Sequence, residues 1–407
     1  MATSFRPDSA EQVVEAVAWA ASEQSPLEVM GRGSKRAFGR PVQAGHGLDL
    51  SGLTGITLYE PEELVMSARA GTPMAEVEAA LEAKGQMLAF EPADLGPLLG
   101  GSPGHGSLGG MLACNLAGPR RISAGAARDH FLGVQAVSGR GEAFKAGGRV
   151  VKNVTGYDVC KLLCGSHGTL AVMTEVTVKV LPAPEKTRTV LLYGLDDGAA
   201  QGAMTRGLTS SHEVSGAAHL PAAAAAASSV TYVAGAGGAV TALRVEGPGP
   251  SVEHRCAALR RDLGGSAESE ELHGANSRAF WREVRDVAPF HGDPDRVVWK
   301  VSVPPSAGPA VAADVGRLGE VERYYDWGGG LVWLALPARD GAGQAEVRDA
   351  VAAHGGHATL MRAPAEVRAA VPVFQPQDPG NAALTRRVKE GFDPKGVLSP
   401  GRMYAGV

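Results

Sequence analysis

Apolar residues along the chain recur in two rhythms. Near the N-terminus Val13, Val14, Val17, Ala18 and Ala21 fall three and four apart behind Asp8 and Ser9. That spacing predicts an amphipathic helix with one of those two residues as its N-cap. LEVM at residues 27–30 reads as a short buried strand, and the chain must then turn, because Gly39 and Pro41 forbid a continuing helix. Residues 55–85 read as strand, turn, strand and a helix over 74–84, capped near Thr72 and stopped by Gly85. Residues 129–182 alternate strand-like runs with a short helix at 157–163. They end in a strand at 171–180, where Val172, Val176, Val178 and Val180 precede the stop at Pro182.

The rhythm changes at a Pro- and charge-containing linker over residues 183–187. Beyond it, strands at 190–193, 297–303 and 331–336 alternate with helices near 252–262, 279–286 and 345–353, the pattern of a separate, smaller α+β domain. The tail at 384–404 is a short helix followed by Pro/Gly-rich chain, too small to fold alone, so it must dock elsewhere. The expected organisation is residues 1–185, then 186–383, then a returning segment at 384–407.

A chain of 407 residues that is 44% hydrophobic can build two or three cores and is not disordered. Its net charge of −4 comes from 39 basic and 43 acidic residues without long like-charge blocks, which excludes a nucleic-acid footprint and favours small or uncharged partners. The opening MATSFRPDSAEQ lacks the layout of a signal peptide, and no apolar run suits a membrane span, so a cytoplasmic protein without a transmembrane segment is expected. Four cysteines make no disulfide framework. Cys160 and Cys164, four apart on a helix and without further cysteines nearby, cannot ligate an iron–sulfur cluster and read as buried thiols. The 55 glycines and runs such as PAAAAAASS include compositional bias, so only glycine placement is informative.

Three glycine clusters have informative placement. GRGSKR at residues 31–36 follows a strand, but Arg36 occupies the third-glycine place and no helix follows, which fits neither a Rossmann turn nor a Walker loop. Its backbone N–H groups can still cup an anion. GSPGHGSLGG at 101–110 contains Gly104-x-Gly106-x-x-Gly109, yet Pro92, Pro97 and Pro103 interrupt the strand a dinucleotide turn requires, and Asp129 precedes a strand instead of ending one. CGSHGTLAVMTEV at 164–176 runs through Gly165, Ser166 and Gly168 straight into the β-branched strand, where glycine lets the backbone pass close to a neighbour or ligand.

In this order and spacing the clusters resemble the FAD-binding domain of the vanillyl-alcohol-oxidase / p-cresol-methylhydroxylase (PCMH-type) flavoprotein superfamily. EVMGRGSKRAFG is similar to its pyrophosphate loop, GSPGHGSLGGMLACNLAG to its second flavin loop, and GSHGTLAVMTEV to its closing signature. The tail FDPKGVLSPGRM is similar to its D-P-x-x-x-x-N-P-G ending, with Ser399 where asparagine is usual. Within the superfamily, residues 118–133 and 150–170 most resemble the FAD-binding subunits of bacterial glycolate oxidases.

The resemblance implies an α+β fold: a two-part PCMH-type FAD-binding domain, a smaller α+β cap, and a C-terminal tail docked back on the FAD domain. It implies FAD, with Gly31, Arg32, Gly33, Ser34, Lys35 and Arg36 on the pyrophosphate side. Ser107, Leu108, Gly109, Gly110, Ala113 and Asn115 would line phosphate and flavin, and Gly165, Ser166, Gly168, Thr169 and Val172 would meet the remainder. Backbone donors to charged oxygens contribute about 1.5–3 kcal/mol each, so several can anchor a pyrophosphate. Some members attach flavin covalently through a histidine in or near the first loop. Ser34-Lys35-Arg36 offers none, so non-covalent FAD is expected, and Gly109→Val is expected to abolish its retention.

Oxidation of a 2-hydroxy acid to a 2-oxo acid needs a cation for the carboxylate and a group for the hydroxyl proton. Arg282, Arg285, His291 and His357 are the middle-domain candidates, none of them compelling enough to assign a catalytic residue. His354 and His357 in HGGH, without a nearby acid, read as a helix end and turn, not as a metal site. The short cap suggests a companion subunit. The resemblance therefore implies the FAD subunit of a glycolate oxidase complex, beside a homologous catalytic flavoprotein subunit and an iron–sulfur subunit, peripheral at the inner face of the membrane through that complex. A self-sufficient FAD-dependent 2-hydroxy-acid dehydrogenase and a structural subunit with a degenerate flavin site remain the alternatives.

Overall fold

The computed structural model describes residues 3–150, 156–265 and 267–407, so residues 151–155 of the 150–170 motif lie outside the described residues. The chain divides into two compact units. One comprises Met1–Ala117, Gly125–Ala183 and Pro372–Val407, and the other Gly118–Ala124 and Pro184–Val371. Two segments thus group differently from the sequence expectation. Residues 372–383 join the first unit, where the Phe374 ring packs against Phe38 and His167. Gly118–Ala124 joins the second, where Arg120 pairs with Glu246 at 2.8 Å.

The first unit begins with the helix Ala10–Glu23, whose N-cap is Ser9, its side chain accepting from the Gln12 N–H. Val13, Val17 and Ala20 bury against Leu27, Leu48, Val137, Val172, Val397 and Leu398, all almost fully removed from water. Leu27–Met30 lies in a three-stranded parallel sheet with Thr3–Phe5 and His46–Asp49. A second, antiparallel sheet orders Ile56–Glu60, Val65–Arg69, Ala171–Lys179, Phe131–Ser138 and Ala143–Gly147. The expected helix after Thr72 spans Met74–Glu82, but its N-cap is Pro73. The Thr72 hydroxyl donates instead to the carbonyl oxygens of Arg69 (2.6 Å) and Gly55 (3.3 Å).

The tail docks through a buried ion pair. Lys389, in the helix Pro379–Phe392, donates from Nζ to Asp393 Oδ2 (2.7 Å), the Thr169 carbonyl (2.7 Å) and the Leu398 carbonyl (2.9 Å). Asp393 in turn accepts from the Val397 and Leu398 N–H groups. Leu398 then lies parallel to Leu27, and Ser399 Oγ accepts from the Val29 N–H at 3.0 Å.

The second unit is built on an eight-stranded sheet in the order Ser269–His273, Lys186–Tyr193, Val240–Gly247, Val214–Leu220, Glu322–Asp326, Leu331–Leu336, Val297–Ser302, His357–Arg362. Its first and last four strands each follow a βαββαβ course, and the halves join where His219 pairs with Tyr325. Five of these strands have no counterpart in the sequence expectation. HGGH also differs in part: the preceding helix ends at Ala352, but His357 opens a strand.

Candidate functional site

The three glycine clusters converge in the first unit. A cleft of ≈ 700 Å³, measured to its mouth, is lined by residues 31–36, by Ser107, Gly109, Gly110 and Ala113, and by Gly168. Chain turns set this arrangement. The backbone leaves Leu27–Met30 into a loop where Gly33 adopts φ +75, and Arg36 donates its N–H to the Gly33 carbonyl at 3.2 Å. Among the described residues, the backbone N–H groups of Arg32, Gly33, Ser34 and Lys35 reach no protein acceptor. Arg32 Nε is likewise buried without a partner, and the Lys35 ammonium bonds Ser34 Oγ at 3.1 Å. Such a nest of free donors and cations suits a doubly charged anion.

The second cluster is a short helix, Leu108–Ala113, where the sequence reading had a loop. Ser107 caps it, its Oγ accepting from the Gly110 N–H, and the cap is possible because neighbouring positions lack side chains. A Cβ on Gly31 would stand 2.2 Å from Ser107 Oγ. Gly109 lines the cleft and also sets the helix against a neighbouring strand. Its N–H donates to the Ala70 carbonyl at 2.8 Å, and a Cβ there would meet Ala70 Cβ at 2.6 Å. Its smallness lets the helix sit against the end of the Val65–Arg69 strand.

The remaining sequence-chosen residues stand behind this wall. Leu108 and Val172 are fully buried in the core. Asn115 Oδ1 accepts from the Arg128 N–H (3.2 Å) and the Cys164 thiol (3.5 Å). Gly165, at φ +83, donates to the Leu112 carbonyl, while Thr169 donates its N–H and hydroxyl to the Ser166 carbonyl. These contacts brace the third cluster against the second.

Sequence reasoning missed other lining residues. Val29, Leu50, Ala70, Ala171 and Met173 supply an apolar wall, and Cys114, His167 and Arg402 a polar one. His167 Nδ1 lies 3.6 Å from Cys114 Sγ, and its ring packs edge-on to Phe38. Burial, helped by Arg402 and Lys35, pushes the His167 imidazole down to about 3, so it is neutral across the ordinary pH range. Burial also raises the Cys114 thiol. Arg402 reaches the Arg36 and Arg40 carbonyls at 3.1 and 3.4 Å, so the tail closes the first loop. Arg36 itself pairs with Glu28.

Free donors and cations, an apolar wall and cradles that only glycine permits fit a cofactor with a pyrophosphate and a flat ring system. A model of an FAD binding domain matches residues 2–147. The glycolate oxidase subunit GlcE of Escherichia coli is 36% identical over 406 residues, covering 98% of both chains. The chain belongs to this family of FAD-binding flavoproteins. The family likeness extends to the glycolate oxidase subunit GlcD of Bacillus subtilis, 28% identical over 197 residues, 48% of this chain and 40% of that one. Among solved structures, p-cresol methylhydroxylase has a TM-score of 0.71 at 14% identity, covering 98% of this chain and 88% of that one, which places the fold in the PCMH type.

Of the middle-domain candidates for substrate chemistry, Arg285 and His291 meet at Asp286 in the second unit. Arg285 is engaged by Asp286 at 2.7 and 2.8 Å, His291 Nε2 lies 2.9 Å from the Asp286 carbonyl, and Arg282 is exposed. Cys160 and Cys164 are buried thiols, pushed up to about 11 and about 12 chiefly by burial.

Proposed function

We propose that this chain is the FAD-binding subunit of a complex that oxidises glycolate or a similar 2-hydroxy acid to the 2-oxo acid. The observation that carries this reading is the full-length likeness to the Escherichia coli glycolate oxidase subunit, in a chain whose cleft supplies a flavin cradle. FAD bound there supplies the hydride acceptor. The chain's own work is binding and shielding: the residue 32–35 N–H groups with Lys35 hold the pyrophosphate, and Ala171 and Met173 of the apolar wall exclude water. Residues 31–36, 107–110, 113, 115, 165, 166, 168, 169 and 172 form or brace that cradle.

The flavin is held non-covalently. Two groups capable of attachment, Cys114 and His167, line the cleft, but burial keeps the first a thiol and they lie against each other. In the complex the flavin passes electrons to an iron–sulfur subunit beside a homologous catalytic flavoprotein subunit, on the cytoplasmic side and peripheral to the membrane. Among the described residues no helix is long and apolar enough to cross a membrane.

Purified alone, the chain is expected to show an oxidised-flavin band that glycolate does not bleach without air until the companion subunits are added. Bleaching by the chain alone points to a self-sufficient dehydrogenase, and a colourless chain that FAD cannot reconstitute refutes the flavoprotein reading. Acid precipitation is expected to leave a yellow supernatant; a yellow pellet overturns non-covalent binding.

A further inference from the structure

The second unit contains a cationic cluster on one face of its sheet. Register pairs Lys300 with Trp333 and Thr359, and Ser302 with Leu331 and His357. Because alternate residues share a face, Lys300, Trp333 and His357 all project to the same side. Lys300 Nζ lies 5.3 Å from the centroid of the Trp327 ring and 5.9 Å from that of Trp333. The Arg121 guanidinium stacks over the same Trp327 ring at 4.5 Å. Trp327 Nε1 donates to the Gly118 carbonyl at 3.1 Å, which fixes the Arg121 segment against the indole within this unit.

Two like charges sharing one indole repel, and among the described residues neither side chain makes a hydrogen bond or an ion pair. The acid that acts on Lys300 is Asp326, 2% exposed, with Oδ1 already accepting from the Trp327 N–H at 2.7 Å. Burial pushes the Lys300 ammonium down to about 8, with Arg121 adding to the effect, and burial with the same two cations lowers His357. Trp327 itself sits at φ +53, followed by Gly328 and Gly329 at φ +66 and +99. A bulky residue in that region is strained and persists only where the surroundings over-determine it. The strained turn delivers an indole platform to two cations that, among the described residues, no carboxylate hydrogen-bonds.

We propose that Arg121, Lys300 and Trp327, with His357 at the edge, form a binding subsite for the carboxylate of a small organic acid. A guanidinium fork and an ammonium match a carboxylate's two oxygens, and the indole offers an apolar floor to a short carbon skeleton. That the acid is the 2-hydroxy acid rests on the proposed function; the carboxylate site itself does not.

Calorimetric titration of the FAD-loaded full chain with oxalate, a redox-inert two-carbon acid, tests the subsite. Oxalate is expected to bind, with affinity falling at least about tenfold in Lys300→Met and in Arg121→Met, each of which keeps an aliphatic stem in place. Lys300→Arg, which keeps the charge, and the exposed Arg261→Met are expected to bind as the parent does. No oxalate binding by the parent, or unchanged affinity in both methionine variants with unaltered melting temperatures, overturns the subsite. Equal affinity for inorganic phosphate and oxalate overturns its assignment to carboxylates. If oxalate binding needs Lys300 while glycolate never reduces the flavin, even with companion subunits, the subsite stands and the oxidase reading fails.

Discussion

Lys389→Met tests how the tail governs the cofactor site. Lys389 and Asp393 are 6% and 2% exposed, and the lysine's three N–H donors are all used, at 2.7, 2.7 and 2.9 Å. Burial lowers its affinity for a proton, and Asp393 opposes that shift. Methionine fills the stem's volume but leaves a buried carboxylate unpaired and the Thr169 and Leu398 carbonyls short of a donor. Breaking a buried pair from one side costs about 3–5 kcal/mol. In a unit of this size 1 kcal/mol corresponds to about 2–4 °C, so the melting temperature should fall by about 6–20 °C. The same tail carries Ser399 and Arg402, which bond the Val29 N–H and the Arg36 carbonyl beside the cleft, so FAD occupancy should fall with it. Circular-dichroism melting of the holoprotein, with the flavin-to-protein absorbance ratio, measures both. Adding Asp393→Asn should recover part of the loss by removing the stranded charge. A melting temperature within about 2 °C of the parent at full flavin content would refute the reasoning, because a buried pair worth several kcal/mol cannot vanish silently.

Gly109→Val should destabilise the first unit and release FAD by pushing the Leu108–Ala113 helix off Ala70, so melting temperature and flavin content drop together; loss of flavin at an unchanged melting temperature would favour direct contact with the cofactor instead. Ser399→Ala should cost about 1–3 kcal/mol by stranding the Val29 N–H, measured by urea unfolding. Oxalate affinity should weaken above pH about 8: a bound carboxylate favours protonated Lys300, which also faces Arg121, Asp326 and His357, so binding takes up a proton there and loses up to tenfold per pH unit, read by titration across that range. Cys160, Cys164 and Cys256, held at about 11, 12 and 12, should react with a disulfide reagent at pH 8 only after denaturation.

Much of the first unit could be read directly from residue order. The 3–4 spacing of Val13 and Val17 and the Ser9 cap are local signals, and the glycine clusters lie where the cleft needs close backbone approach. The second unit was less legible. VTALRVEG and VSGAAHL hide their strands because Arg244 and His219 interrupt the apolar pattern. Both are buried, and the groups that meet them are distant in sequence: Arg244 Nε donates to Ser215 Oγ, and His219 Nδ1 lies 2.9 Å from Thr241 Oγ1. Lys300 carried a faint signal, a lone cation in the apolar strand VVWKVS, but its stacking partner Arg121 comes from a segment far upstream.

The sequence by itself determined several helices and strands of the first unit and that the tail must dock, because these follow from periodicity, capping and segment length, while FAD followed from the resemblance of the three glycine clusters to a flavoprotein family. Only the tertiary structure decided that Gly109 abuts Ala70, that His167, Cys114 and Arg402 reach the cleft, and that Arg121 and Lys300 share an indole. Those facts depend on which distant surfaces meet when apolar faces bury, and residue spacing along one chain does not encode that pairing locally.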